Sequence, residues 1–253
     1  MVAHRITKLV NPLISLAMGD LYRDVEVYAV AQTEAGLKSS KTRGFLPVES
    51  EGFALGGLMK LPMLKAPRPT PRVIVAANAE HLNMVAFIRG ATFGAEQHCP
   101  YFEEFDGNDH CAMHLIGMVE NEPAATLRVR FFAGFAKLER LAVLQRFRQS
   151  GISTVLMHEA ISICRRKGYV KLYGQSQERL VGFYGKHGFQ PMHKNAPIVF
   201  SDHAYVEIEA DITPCDEPIT IKSDPYLIIR PEGRWDELGV LDRSAARPAT
   251  NPI

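Results

Sequence analysis

The chain has 253 residues, 46% of them hydrophobic, enough to bury a full core in one large domain or in one domain with long extensions. Its 29 Lys and Arg nearly cancel 28 Asp and Glu, so no global field draws it to nucleic acid or to an anionic membrane, and any bound anion must be held locally. The four cysteines, Cys99, Cys111, Cys164 and Cys215, form no CxxC pair and have no histidine at zinc-ligand spacing, which argues against a disulfide framework or a metal site and fits a reducing cytoplasm.

At the start, Arg5 and Lys8 precede a short apolar stretch that Asn11 and Pro12 interrupt, so neither a secretory signal nor a membrane helix of about 20 apolar residues is expected anywhere. From Lys60 to Arg72 the sequence KLPMLKAPRPTPR carries four prolines, which withhold backbone donors and predict a linker. It closes an N-terminal extension, residues 1–71, that contains the glycine-rich stretch Gly52 to Gly57. Val73 to Ala77 then reads as a strand, and Glu80 to Phe93 as a helix with Leu82, Val85, Ala86 and Ile88 on one face. Cys111 to Val119 and Ala124 to Phe132 are β-rich runs separated by Glu120-Asn121-Glu122-Pro123, a hairpin signal. Lys137 to Leu144 is a further strand, with Glu139, Leu141 and Val143 on one face by the period of two.

The period then changes. Ile152, Val155, Leu156, Ala160 and Ile163 fall at helical spacing, and Arg165-Arg166-Lys167-Gly168 marks the end of that helix. Tyr169 to Gly174 predicts a strand, Glu178 to Lys186 a short helix, and Ile198 to Phe200 with Ala204 to Ile208 a returning hairpin. Tyr226 to Arg230 reads as one more strand, before a loose polar end from Asp242 to Ile253.

The chemistry-bearing stretch runs from Leu141 through Arg146, Arg148, Gln149, Ser150 and Gly151 to Ile152 and Ser153, a strand passing through a basic turn into an amphipathic helix. Unpaired amides at a helix start, with the positive end of the dipole behind them, suit an anion such as a pyrophosphate, and Gly151 allows close approach. Lys137, Arg140, Arg146 and Arg148 against Glu139 give this region a local charge of +3. Alone, the pattern also describes an ordinary strand-to-helix connection.

About thirty residues later stands Gln177-Glu178-Arg179-Leu180-Val181-Gly182-Phe183-Tyr184-Gly185-Lys186-His187-Gly188-Phe189. The two segments together resemble the GNAT superfamily of coenzyme A-dependent acyltransferases. Its donor motif Q/R-x-x-G-x-G/A is matched by Arg148-x-x-Gly151-x-Ser153, and its F-Y-x-x-x-G-F by Phe183-Tyr184-x-x-x-Gly188-Phe189. Ser153 departs from the usual Gly or Ala, Gln145 stands where proline is frequent, and Gln177 where many members have Asn.

The resemblance covers roughly residues 72–210. It implies an α/β fold: a mixed, mainly antiparallel sheet flanked by helices, with N- and C-terminal extensions, and a V-shaped opening between two parallel strands. The domain it implies spans 72–213, leaving 214–253 as a C-terminal extension. It further implies acetyl-CoA or another acyl-CoA as co-substrate, no metal, and a small-molecule or peptide amine as acceptor, attacked directly in a ternary complex. Donor contacts fall on Leu141, Val143, Arg148, Gln149, Ser150, Gly151, Ile152, Ser153 and Gln177.

By the same resemblance Glu139 is the candidate base and Tyr184 the group that protonates the departing thiolate, with Val143 lending its amide to the thioester carbonyl. Glu139 also reads as an exposed carboxylate paired with Lys137 or Arg140, and Tyr184 as a packed aromatic beside Phe183. Two rivals stay open: an N-acyl homoserine lactone or N-acyl amino acid synthase fed by acyl carrier protein, and a non-catalytic acyl-CoA sensor. The acidic, aromatic stretch Tyr101 to Asp106 reads as a solvated loop or as one wall of an acceptor cleft. His98, Cys99, His110, Cys111 and His114 are not expected to form a metal or nucleophile site, His187 reads as a solvent-facing helix residue, and Cys164 as core. The extensions have three open uses: covering the acceptor site, forming a homodimer, or packing on the sheet.

Overall fold

The computed structural model describes residues 70–192 and 198–248, without the side chain of residue 245, and, before them, the backbone of four strands. The chain divides into two compact units, Met1–Thr70 and Pro71–Ile253.

In the first unit, β1 (Val27–Ala31), β2 (Phe45–Pro47) and β3 (Phe53–Leu55) all pair antiparallel with β4 (Leu58–Lys65). This corrects the linker reading of Lys60 onward, since β4 runs through Pro62. Pro62 lies opposite Val30. β3 pairs with Leu58–Lys60 and β2 with Met63–Lys65 of the same strand. Residues 66–69, which carry two of the four prolines, lie outside the described residues.

The second unit is a mixed sheet in the order β10-β12-β9-β8-β7-β6-β5, with β11 added along β12. Its strands are β5 (Arg72–Val75), β6 (Met113–Val119), β7 (Glu122–Phe132), β8 (Phe135–Val143), β9 (Lys171–Gln177), β10 (Gln190–Pro191), β11 (Ile198–Phe200) and β12 (His203–Asp211). All pairings are antiparallel except β8 with β9. Two hairpins close through two-residue turns with positive φ at both positions, Glu120-Asn121 and Ser201-Asp202, the turn whose twist matches flanking strands. Pro123 is therefore inside β7, beside a bulge, and not in the predicted turn.

Helices cover both faces. On one, α3 (Ile152–Arg166) buries Ile152, Leu156, Met157, Ala160, Ile163 and Cys164 against Leu115, Leu127 and Val129. On the other, α1 (Ala79–Arg89), capped by the Asn78 side chain accepting from the His81 amide at 2.8 Å, buries Val85 and Ile88 against Ile116 and Met118. With both faces covered, β6 is buried along its whole length. Where one long helix to Phe93 was expected, α1 passes at Gly90 into a π-helical stretch ending at Glu96, followed by the short α2 (Tyr101–Glu104). After β9 a 3-10 turn leads into α4 (Val181–Gly185). The strand expected at Tyr226 to Arg230 is instead the short helix α5 (Pro225–Ile228), begun by Asp224, whose carboxylate accepts from the Tyr226 amide, with Pro225 at the first helical position.

Candidate active site

The site begins with one extra residue. β7 and β8 shift register between Thr126 and Arg128, so that Thr126 faces Ala142 but Arg128 faces Glu139, and the surplus falls at Arg140, whose φ is 56°. This bulge bends β8. Its parallel pairing with β9 stops at Leu138 and Gly174, and beyond that point the two strands share no rung.

The amide of Leu144 donates to the Ala124 carbonyl at 2.9 Å, and Val143 faces Ala125 in the same register. Successive amides of a strand point to opposite edges, so the N–H groups of Val143 and Leu141 point away from β7, into the opening left by β9. An unpaired sheet edge inside the molecule is a row of donors awaiting a ligand.

At the end of β8 the chain makes a 3-10 turn over Gln145–Phe147 and enters α3 through Gly151 at φ 81°, a left-handed conformation that a side chain disfavours. Arg148, Gln149 and Gly151 are exposed, and a Cβ built on Gly151 would meet nothing within 4 Å. The Ser150 hydroxyl donates to the Phe147 carbonyl at 2.7 Å and accepts from the Ile152 amide at 3.3 Å. Among the described residues the amides of Gln149, Gly151 and Ser153 have no protein partner. Ile152 is buried and roots the helix.

The concentration of positive charge expected here needs correction. Arg148 is ion-paired with Glu96 and Arg146 with Glu122, while Lys137 and Arg140 turn to other carboxylates. What the turn offers an anion is main-chain donors more than free cations.

A cavity of about 280 Å³ lies beside the opening, walled by β8, β9, the segment from Phe93 to Asp106, and the β11–β12 hairpin. Tyr184, Glu139, Leu141 and Gln177 all border it; Val143 and the Arg148–Ser153 turn do not. Tyr184 is half-buried, and burial, with Tyr205 nearby, pushes its hydroxyl up to about 12. Gln177 ends β9 with its amide engaged: Nε2 donates to the Tyr205 hydroxyl at 3.4 Å and Oε1 accepts from Arg179 Nε at 2.8 Å.

Glu139 is only 8% exposed and is held by Arg128 at 2.9 Å and by Lys137 at 2.8 Å; Arg140 is not its partner. Both of its oxygens are thus engaged by side-chain cations, Arg128 on Oε1 and Lys137 on Oε2.

The solvated-loop reading of Tyr101 to Asp106 holds for Tyr101, Phe102, Glu103 and Asp106, which are exposed, but not for Glu104. Glu104 is 2% exposed and borders the cavity; Arg89 holds one of its oxygens and Arg140 the other, at 3.1 Å. Burial outweighs the attraction of Arg89, Arg140 and Arg128, so its pKa is raised. Asp106 behaves oppositely: the forked hydrogen bonds from Arg128, at 2.7 and 2.8 Å, drive its carboxyl far below the usual range.

Arg128, fully buried, joins Asp106, Asp109 and Glu139, while Arg89 joins Glu104 and Asp109. Sequence reasoning missed this network of Arg89, Arg128, Arg140 and Lys137 against Glu104, Asp106, Asp109 and Glu139. The legible signal was Arg128 in the middle of an apolar strand, a position that only carboxylate partners make tolerable.

Among the described residues no cluster of histidine, cysteine and carboxylates can hold a metal. Burial pushes the Cys164 thiol up to about 12, which leaves it an inert core group. His187 lies just past α4, half-buried and packed on Phe183 and His158, not facing solvent.

The sequence profile of the acetyltransferase (GNAT) family matches residues 81–189. A Bacillus subtilis protein provisionally assigned as an acetyltransferase is 36% identical over 108 residues, which cover 41% of this chain and 72% of that one. The chain belongs to the GNAT acetyltransferase family. The uncharacterized N-acetyltransferase YjcF of Bacillus subtilis is 29% identical over 119 residues, 47% of this chain and 85% of that one.

Among solved structures, Escherichia coli ElaA (20% identity, TM-score 0.50) and an acyl-CoA N-acyltransferase from Pseudomonas aeruginosa (22%, TM-score 0.50) each align with 56% of this chain and 99% of their own; they share the GNAT fold. The protein is thus a GNAT acyltransferase, an enzyme of acyl transfer from acyl-CoA, built on the mostly antiparallel sheet described above. Among the described residues no helix is long and apolar enough to cross a membrane.

Proposed function

We propose that this GNAT enzyme is an N-acyltransferase, moving an acetyl or similar acyl group from acyl-CoA directly to an amine bound beside it. The observation that carries the reading is the bulge at Arg140, which turns the amides of Leu141 and Val143 toward the open edge of β8. Those amides suit the pantetheine arm and the thioester carbonyl. The unpaired amides of Gln149, Gly151 and Ser153 suit the diphosphate, with room above Gly151 for it to approach.

The amine must lose a proton. Glu104 fits that task, because burial raises its proton affinity and it borders the cavity. Glu139 serves to hold Arg128 and Lys137. Tyr184 offers a phenolic O–H to the departing sulfur. With its pKa near 12 against about 8.5 for a thiol, full transfer is uphill by about 5 kcal/mol, so it acts as a hydrogen-bond donor.

Thiol release from acetyl-CoA, followed over a panel of primary amines, tests the reading. Turnover is expected with at least one amine and is expected to vanish in Gly151→Trp, whose indole fills the space over the turn. Thiol release unaltered in that variant, or hydrolysis alone with every amine, rejects it.

A further inference from the structure

The cavity wall holds six charged side chains, and five of them are neutralised by one another or by the arginines behind them. Glu104 is paired with Arg89 and Arg140, Asp106 with Arg128 and Arg140, and Glu139 with Arg128 and Lys137. Among the described residues Arg179 alone on this wall has no oppositely charged partner. Its Nε donates to Gln177 Oε1 at 2.8 Å, which fixes the plane of the guanidinium while leaving the terminal nitrogens uncommitted.

Arg179 is exposed, and with Gln97 and Gln177 it borders both the cavity and a second depression floored by His203 and Ala204. It therefore stands at the mouth, where the enclosed space meets the surface. The same cavity is lined by the apolar and aromatic side chains of Leu180, Phe200 and Tyr205.

We propose that the acceptor is a small amino acid-like molecule: an amine at the inner end, an apolar body, and a carboxylate held by the Arg179 guanidinium. The inference rests on the acyl-transfer reading and specifies its acceptor. A planar fork with free terminal nitrogens matches a carboxylate in two parallel hydrogen bonds, whereas an amine without an anion leaves that charge unmatched. The cavity, about 280 Å³, admits one small molecule.

The test uses the full chain and two matched pairs of probes that differ by one carboxylate: L-phenylalanine against 2-phenylethylamine, and L-leucine against 3-methylbutylamine. Calorimetric titration in the presence of coenzyme A is expected to give roughly tenfold or tighter binding for the carboxylate member of at least one pair. Arg179→Ala is expected to bring that ratio close to one, and Arg179→Lys, which keeps the charge but loses the fork, to leave an intermediate ratio. A melting curve for each variant establishes that it is folded.

No carboxylate preference in the wild type overturns the proposal, as does a preference that survives Arg179→Ala. A loss confined to coenzyme A affinity overturns it too, since Arg179 would then serve the donor. Thiol release is read separately. Turnover of amines without carboxylate preference removes this inference and leaves acyl transfer standing, whereas carboxylate-dependent binding without any thiol release removes the acyl-transfer reading.

Discussion

Tyr184 and Glu104 are both shifted by burial, in the same direction and with opposite uses. A phenol with a pKa near 12 remains protonated throughout the neutral and mildly alkaline range, so its hydrogen bond to the leaving sulfur does not fade as pH rises. Tyr184→Phe is expected to lower kcat about tenfold to a hundredfold while leaving coenzyme A affinity within about threefold, the pattern of an interaction made late in the reaction. The alkaline side of the kcat profile should have the same shape in both proteins below about pH 10; an alkaline fall that disappears in the variant would contradict the shifted phenol.

Glu104 must be ionised to accept a proton, and its raised pKa moves the acid limb of kcat toward higher pH. Glu104→Gln is expected to remove that limb and to cost about 1–3 kcal/mol of stability, because Arg89 and Arg140 then face a neutral amide in place of a buried carboxylate. A pH profile unchanged by the substitution would assign the proton to another acceptor.

At the scale of elements, the donor turn depends on how closely α3 sits on the sheet. Gly117 of β6 makes the seat: a Cβ there would lie 2.4 Å from Ile152 Cγ1 and 2.7 Å from Ile152 Cδ1. Ile152 is the first residue of α3, immediately after Gly151, so whatever moves it moves the turn. Gly117→Val is expected to destabilise the protein by about 1–3 kcal/mol through overpacking, and to weaken coenzyme A binding measured by titration, although residue 117 touches no ligand. Unchanged binding would mean that helix and turn are not rigidly joined.

This close approach was not legible in the sequence, where Gly117 reads only as a weak point in a strand. The amphipathic spacing of α3 and the turn at Gly151 were legible, because each is set by local pattern. The shared face expected for Glu139, Leu141 and Val143 was not, since the extra residue at Arg140 puts Glu139, opposite Arg128, on the other side of the sheet from Val143, opposite Ala125. The bulge at Arg140 and the burial of Arg128 were not. Both depend on which strand lies alongside, and a register shift leaves no mark in a single segment's alternation. Pro62 shows the same limit from the other side: it argues against a strand locally, yet β4 runs through it with Val30 opposite.

At the scale of the molecule, among the described residues the members of the apolar clusters run from Val73 to Trp235, with Phe189, Ile208 and Ala210 completing the side of the sheet that α3 covers. The cavity, the open edge of β8 and the donor turn all lie inside the same span. A domain whose core, hydrogen-bonded sheet and site share one stretch of chain has what independent folding needs. The fragment Pro71–Ile253 is therefore expected to unfold in one cooperative thermal transition and to gain melting temperature on addition of coenzyme A, as ligand binding to the folded state requires. A fragment that melts without cooperativity would show that Met1–Thr70 is needed to complete the fold. A cooperative fragment that no longer responds to coenzyme A would instead make the first unit part of the donor site, and would move the boundary of the catalytic domain back to the start of the chain.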